Sequence, residues 1–392
     1  INLYNIGMTI LIKNVQLLDG TGRPATKADV LVKNDKISAI GNFFNYKADK
    51  IINAFGAYLA PGFIDINNES DHSLEIFSNF YQEDILKQGI TSVVGGHGGF
   101  SLAPLIYGSL EVIRPWADIR KINVNWHTLA GFLKTFKTRK LSVNFGTFLG
   151  HTTVRFDIIH DAHKLIFRNL TSNESAVLNF IMRKNLKAGA FGISVGLDYP
   201  LVSETSYFEI KKMAELAAKT GALLSYNLKD NKEGITDSVK RAIFLAKETG
   251  VKILINNFKP SLEAFNLIEE NSSSADICFC ANLDDDYFGE SVKILQSDKA
   301  FISSGGFEKF LKLVEKDKIM TIEEAIKKIT FFPAEKLKLN KRGIIREGYF
   351  ADLVIFRNAE ISNVIINGKI AVKEGKIQNI LEGRILVSGK FI

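Results

Sequence analysis

Few side chains on this chain are equipped for metal or thiol chemistry. The 392 residues include 6 His and 2 Cys. That excludes a disulfide framework and a Cys-rich zinc or iron–sulfur site, and a multi-metal hydrolase would have to commit most of the imidazoles. Glu69, Asp71 and His72 cluster in NNESDHS, and His97 sits in GGHGGF. One carboxylate with one imidazole holds a divalent ion loosely, whereas selective zinc binding takes three or four convergent ligands. The plain alternative for this group is a solvated loop. His151 stands beside a tight turn in LGHTTVR with Arg155, where bracing the loop by hydrogen bonds is favoured over lining a pocket. His160 and His163 in IIHDAHKLIF have helical spacing and read as a solvated face. Cys278 and Cys280 in DICFCAN fall on one side of a strand by its period of two, as two small buried hydrophobes would. Ser194, Ser303 and Ser304 lie at strand ends, but none occupies a Gly-x-Ser-x-Gly elbow. GGHGGF lacks the Gly-x-Gly-x-x-Gly or Lys-Ser/Thr pattern of a phosphate cradle. Lys229 and Lys259 could draw a small anionic ligand by charge, with the acidic run Asp284 to Asp286 as their competing partner.

These residues need a scaffold, and the composition supplies one. Hydrophobic residues make up 46% and charged residues 24%, the balance of a globular chain able to bury a large core, so overall disorder is excluded. Lys+Arg 50 against Asp+Glu 43 gives a net charge of +7, spread through helical segments beside Glu, so no nucleic-acid partner is expected. No apolar run approaches the roughly 18 residues of a membrane helix, so no membrane partner is expected either. INLYNIGMTILIKN has no basic segment followed by an apolar core. The expectation is therefore no secretory signal, Met8 as a candidate initiator and a reducing, cytoplasmic setting.

Both ends of the chain read as β structure: TILIKNVQLL and ADVLVKNDKISAIG at the start, ADLVIF, VIINGKIAVKEGKI and GRILVSGKFI at the end. Between them apolar runs recur at roughly the spacing of a βα unit: GFIDIN, TSVVGG, NFGTFLG, FGISVGL, ALLSYNL, VKILINNF, DICFCAN and AFISSGG. Helices separate most of them. Ser206 with Glu209 predicts a capping box and Gly221 a helix stop, and Thr321 with Glu324 predicts another box. Eight strands alternating with helices favour an α/β fold with a closed TIM-type (β/α)8 barrel at 61–335, and residues 1–60 plus 336–392 would make a small composite β-sandwich domain. Chemistry in such a barrel sits at the carboxyl ends of the strands. Those positions carry Asn67 and Glu69, His97, His151, Asp198 and Tyr199, then Asn227 and Lys229, Asn257 and Lys259, Asn282 with Asp284 to Asp286, and Ser303, Ser304 and Gly305.

LIKNVQLLDGTGRPATKADVLVKNDKISAIG, PGFIDINNESD, QGITSVVGGHGGFSLAP, GTFLGHTTVR, GAFGISVGLDYP and RGIIREGYFADLVIF together resemble the amidohydrolase superfamily, and within it the N-acyl-D-amino-acid deacylases, or D-aminoacylases. The resemblance implies hydrolysis of C–N bonds other than peptide bonds, with one or two zinc ions lowering the pKa of water and polarising the amide carbonyl. Every ligand position it implies is altered. The His-x-His pair falls on Asn67 and Glu69, the Cys on Gly98, the strand-five His on Asn227, the strand-six His on Asn257, and the strand-eight Asp on Gly305. His97 stands where relatives have Asn, His151 matches a His of the family, and Lys259 matches a Lys that the resemblance assigns to the substrate carboxylate. The long segment that covers the pocket in relatives, between strands seven and eight, is missing, as is the His-Pro-Arg stretch after strand eight. The expectation is a degenerate relative with no bound zinc or other cofactor, acting as a non-catalytic binding or scaffold protein, with a homo-oligomer as one form. The alternative is an amide hydrolase rebuilt around Glu69, His97 and His151, with a weakly held metal. The candidate pocket is His97, His151, Asp198, Tyr199, Lys229, Lys259 and Ser304.

Overall fold

A computed structural model describes residues 7–159, 168–199, 205–229, 234–281, 283, 289–303 and 305–389. His160, His163, Asn282, Asp284 to Asp286 and Ser304 lie outside the described residues.

Strands β1 (Thr9–Leu17), β2 (Thr26–Lys33), β3 (Lys36–Gly41), β4 (Lys50–Asn53) and β5 (Tyr58–Pro61) come from the start of the chain. They join β15 (Leu353–Arg357), β16 (Glu360–Ile366), β17 (Lys369–Lys373) and β18 (Lys376–Ile377) from its end in one nine-stranded sheet. The seam between the two chain ends is the antiparallel β5–β15 pair, in register from Leu353 opposite Pro61 to Phe356 opposite Tyr58. Alternating apolar residues drive the assembly: Ile10, Ile12, Val30, Val32, Leu59 and Leu353 form one buried cluster. β1 bulges between Ile12 and Val15, where Asn14 takes φ 57° and its N–H donates to Asp29 Oδ1 at 2.8 Å. Of GRILVSGKFI, expected as a strand, the last three residues lie outside the described residues, and Arg384, Ile385 and Leu386 run beside Phe145 through two backbone bonds and a single bridge.

The middle of the chain is parallel throughout. β6 (Phe63–Asp65), β7 (Ile90–Gly95) and β8 (Asn144–Thr147) make one sheet. β9 (Leu149–Gly150), β10 (Gly192–Gly196), β11 (Leu223–Asn227), β12 (Lys252–Phe258), β13 (Ile277–Ala281) and β14 (Ala300–Ile302) follow in chain order in a second. Only Phe148 separates β8 from β9, so the expected strand NFGTFLG is broken in two. The strands are buried on both faces, as their nearly continuous apolar composition requires. The two faces pack differently. Ile64, Val94, Phe148, Leu223, Leu254 and Cys278 belong to a cluster built almost wholly from strand residues and the turns beside them. Val93, Ile193, Leu224, Ile253 and Phe279 face the other way, into a core shared with helix residues such as Met213, Ala217, Val239 and Ala242.

The helix Tyr207–Thr220 starts on Ser206, whose Oγ accepts the Glu209 N–H, and stops at Gly221 with φ 65°. The Glu209 carboxylate does not turn back to close the expected capping box, because it is engaged elsewhere (below). The box at Thr321 and Glu324 forms as expected, and a second one forms at Thr171 and Glu174. No helix among the described residues is long and apolar enough to cross a membrane.

Candidate functional site

The carboxyl ends of β6, β7, β10, β11 and β12 surround a cavity of about 310 Å³. Its lining includes Asn67 and Glu69 after β6, His97 and Gly98 after β7, Asp198 and Tyr199 after β10, Asn227 at the end of β11, and Asn256 and Asn257 on β12. His72, Phe100 and Trp116 complete the described walls. Two adjacent residues of one strand normally face opposite ways. Asn256 and Asn257 both reach the cavity because the β12–β13 register shifts between Ile255 and Phe258.

The floor is a chain of hydrogen bonds whose direction follows from its end. Val94 O can only accept, so His97 Nε2–H donates to it at 3.0 Å and His97 Nδ1 is left to accept from Ser225 O–H at 2.9 Å. Ser225 Oγ accepts from Asn256 Nδ2 at 2.6 Å, and the second amide hydrogen of Asn256 goes to Asn227 Oδ1 at 3.0 Å. Asn227 Nδ2 then donates to Asp198 Oδ2 at 2.9 Å. Asn257 closes its own loop, accepting from Leu228 N at 2.8 Å and donating to Leu228 O at 3.1 Å. Asn67 Nδ2 contributes a longer bond, 3.4 Å, to Asn256 O. Asn256 Oδ1 is buried and has no donor among the described residues. Burial pushes the His97 imidazole down to about 3, so it is neutral and both its nitrogens are spoken for.

Glu69, Asp71 and His72 do not act as one cluster. Asp71 is buried, which raises its pKa, and its carboxylate accepts Gly96 N–H at 2.7 Å and His72 N–H at 3.0 Å, fastening the end of β7. His72 Nε2 donates to Phe100 O at 3.2 Å and Glu69 is exposed at the mouth. Gly98 has φ +60°, and a Cβ there would lie 3.5 Å from Asn227 Nδ2, at the cavity edge.

Several expected pocket residues lie elsewhere. His151 is fully buried, with Nε2 2.7 Å from Glu209 Oε1, and Arg155 Nε donates to the same oxygen at 2.9 Å. Burial alone would raise the Glu209 pKa, but His151 and Arg155 hold it below the usual carboxylate range. His151 opens the helix His151–Ile159, so this contact, expected to brace a loop, instead ties that helix to the helix Tyr207–Thr220, and His151 does not line the cavity. Gly305, Lys229 and Lys259 are not part of the described lining either. Of Glu69, His97 and His151, the first two line the cavity, while His151 is held apart in a buried network with Glu209 and Arg155. Cys278 and Cys280 are buried in the strand-lined face, and burial pushes the Cys278 thiol up to about 11.

The spacing of polar residues could not reveal Phe100, Trp116, Asn256 or Ser225. Asn256 was visible only as the neighbour of Asn257 in LINNF. Trp116 reaches the mouth from a loop, with its ring 4.8 Å from Phe100 and 5.2 Å from Tyr199. Phe100 and Tyr199 are 5.4 Å apart, so the three rings form one aromatic wall. A larger cavity, about 590 Å³, lies between the helix Leu129–Thr135 and the chain end at 381–387. It has an apolar floor, a rim of Lys134, Lys137 and Arg384, and Glu382 as its sole carboxylate among the described residues. It lies beside the start of β8 and includes none of the residues at the carboxyl ends of the parallel strands, so the smaller cavity is the candidate site. Among the described residues no three His, Cys, Asp or Glu side chains gather where they could hold a metal ion.

Residues 297–371 match the Amidohydrolase family. The chain is 25% identical to the N-acyl-D-aspartate deacylase of Alcaligenes xylosoxydans xylosoxydans, over 93% of its own length and 89% of that protein. It is 27% identical to the D-aminoacylase of the same organism over 68% of its own length, but this match spans only 56% of that enzyme. Its fold superposes with a TM-score of 0.86 on N-acyl-D-glutamate deacylase from Bordetella bronchiseptica, crystallised with zinc and a phosphonate inhibitor, at 20% identity over 98% of this chain and 100% of that one. A D-aminoacylase crystal structure gives 0.84 at 22% identity, over 96% and 99% of the two chains.

Proposed function

We propose that this chain, a relative of the N-acyl-D-amino-acid deacylases in the amidohydrolase family, binds a small molecule at its strand-end cavity without zinc and without hydrolysing it. Its architecture in this reading is a closed (β/α)8 barrel over 61–335 with a composite β-sandwich from 1–60 and 336–392. Closure is supported by the strand-lined cluster, to which residues on or beside every parallel strand contribute from one face while helices cover the other.

One observation carries the functional reading. Positions that the family resemblance assigns to imidazole and thiolate ligands hold three carboxamides, a glycine and the single exposed carboxylate of Glu69, and Asn227 and Asn257 are tied to protein groups by good hydrogen bonds. A neutral, hard amide is a far weaker zinc ligand than imidazole or thiolate, and glycine supplies no side-chain donor at all. Of the two imidazoles in the described lining, His97 is spent on Ser225 and Val94, and His72 Nε2 donates to Phe100 O. The residues present therefore do not fit zinc. Two buried, unbridged thiols also suit a reducing compartment.

The test is elemental analysis of the purified full chain together with an assay on N-acyl-D-aspartate, N-acyl-D-glutamate and N-acyl-D-leucine. The expected result is substoichiometric zinc and no turnover. Near-stoichiometric zinc, with turnover that disappears on chelation, overturns the proposal.

A further inference from the structure

We propose that the strand-end cavity selects a small organic cation, a primary amine carrying an apolar group, rather than the anionic N-acyl amino acids that the relatives' names describe. This rests on the metal-free reading, since a zinc ion would set positive charge beside the same walls.

Three independent features point the same way. The carboxylates of the described lining are Glu69 and Asp198, the latter also accepting from Asn227, and no Lys or Arg is among the described lining residues. Lys229 and Lys259, which charge counting favoured for an anion, are not in the lining. Next, Phe100, Trp116 and Tyr199 form a wall of mutually packed rings. Aromatic faces carry negative quadrupole charge and attract an ammonium group as well as an apolar one. Trp116 is 40% exposed, so part of its ring is open to a ligand.

The third feature is the orphan acceptor. Asn256 is 8% exposed, lines the cavity, and spends both amide hydrogens on Ser225 and Asn227, yet its Oδ1 meets no donor among the described residues. A buried carbonyl without a donor is costly, and a ligand N–H is the group that satisfies it. A primary ammonium supplies such donors and a charge that the carboxylates at the mouth attract, while its hydrocarbon part covers the rings. A cavity of about 310 Å³ limits the ligand to a small molecule.

A matched series separates the alternatives: 2-phenylethylamine, its neutral isostere 2-phenylethanol, the anion 3-phenylpropionate, and the N,N,N-trimethyl form of the amine, each titrated calorimetrically into the full chain at low salt. The primary amine should bind at least tenfold more tightly than the alcohol or the acid, and more tightly than the trimethyl form, which has no N–H to donate. Glu69→Gln and Asp198→Asn, both exposed positions that leave the core intact, should each weaken the amine about tenfold and leave the alcohol unchanged. Trp116→Ala should weaken amine and alcohol alike. Binding of the acid equal to that of the amine, indifference of the amine to both carboxylate variants, or no binding of the amine at all overturns the proposal. Zinc measured on the same preparation keeps the two failures apart: a zinc-loaded chain refutes the metal-free reading, while a zinc-free chain that prefers the acid refutes only the choice of ligand.

Discussion

His97 shows how a single buried side chain sets the acid limit of the fold. Its imidazole has a pKa of about 3 in the folded chain against an ordinary 6.5. Between those values the unfolded chain binds the extra proton, so stability is fully present above pH 6.5 and declines as pH falls toward 3. The loss is about 2 kcal/mol between pH 6.5 and 5. His97→Asn removes this dependence. Asp71, which burial pushes up, is common to both proteins and cancels in the comparison. Melting temperatures followed from pH 7 to pH 4 should converge, the parent falling faster than the variant; parallel curves would count against a neutral, buried imidazole. The sequence placed His97 at a strand end but could not show which atoms would satisfy it. Val94 lies three residues away along the chain and Ser225 lies 128 away, and only folding brings the second one close.

At the scale of elements, the parallel strands and their helices were legible because period-two and period-3.6 patterns are local properties of the chain. Ser206 and Gly221 mark the ends of one helix as their chemistry predicts. Glu209 departed from its local role: the capping box is worth less than neutralising the buried Arg155 guanidinium and pairing with His151, both more than fifty residues upstream. Glu209→Ala leaves Arg155 buried without this partner and should cost about 3 kcal/mol. The helix itself should persist, since the Ser206 cap remains. Urea denaturation with far-ultraviolet circular dichroism measures both, and a change within a few tenths of a kcal/mol would show the bridge to be incidental. The register shift in β12 is another element-level feature that no propensity reveals. It turns two neighbouring carboxamides toward one cavity.

For the whole molecule, a buried polar junction ties the terminal sheet to the parallel strands. Asn144 on β8 donates to Asp352 Oδ2 at 3.1 Å, and its own Oδ1 accepts from Asn367 Nδ2 at 2.8 Å and from Arg384 N at 2.9 Å. Arg342 pairs with Asp352 and donates to Asn367 Oδ1 at 2.8 Å. Residues 144, 342, 352, 367 and 384 thus meet in one network although the first precedes the others by about two hundred positions. Asp352→Ala strands the buried Arg342, and a loss of about 3–5 kcal/mol is expected. Hydrogen exchange should rise both at β8 and at β15, in separate regions of the chain. Protection unchanged at β8 would show that the two regions are not coupled through this junction.

The sequence by itself determined the α/β alternation, the β character of both ends and the residue types at each strand terminus, because these depend on spacing along the chain. The family resemblance it carries also led to the expectation that imidazole and thiolate are missing from the positions of the relatives' zinc ligands. Only the tertiary structure decided what those positions do instead. Which amide meets which partner, whether His151 faces a pocket or a helix, and whether the walls carry lysines or carboxylates all depend on distances between residues far apart in sequence. A one-residue register shift or one long-range ion pair changes each of these without altering any local pattern.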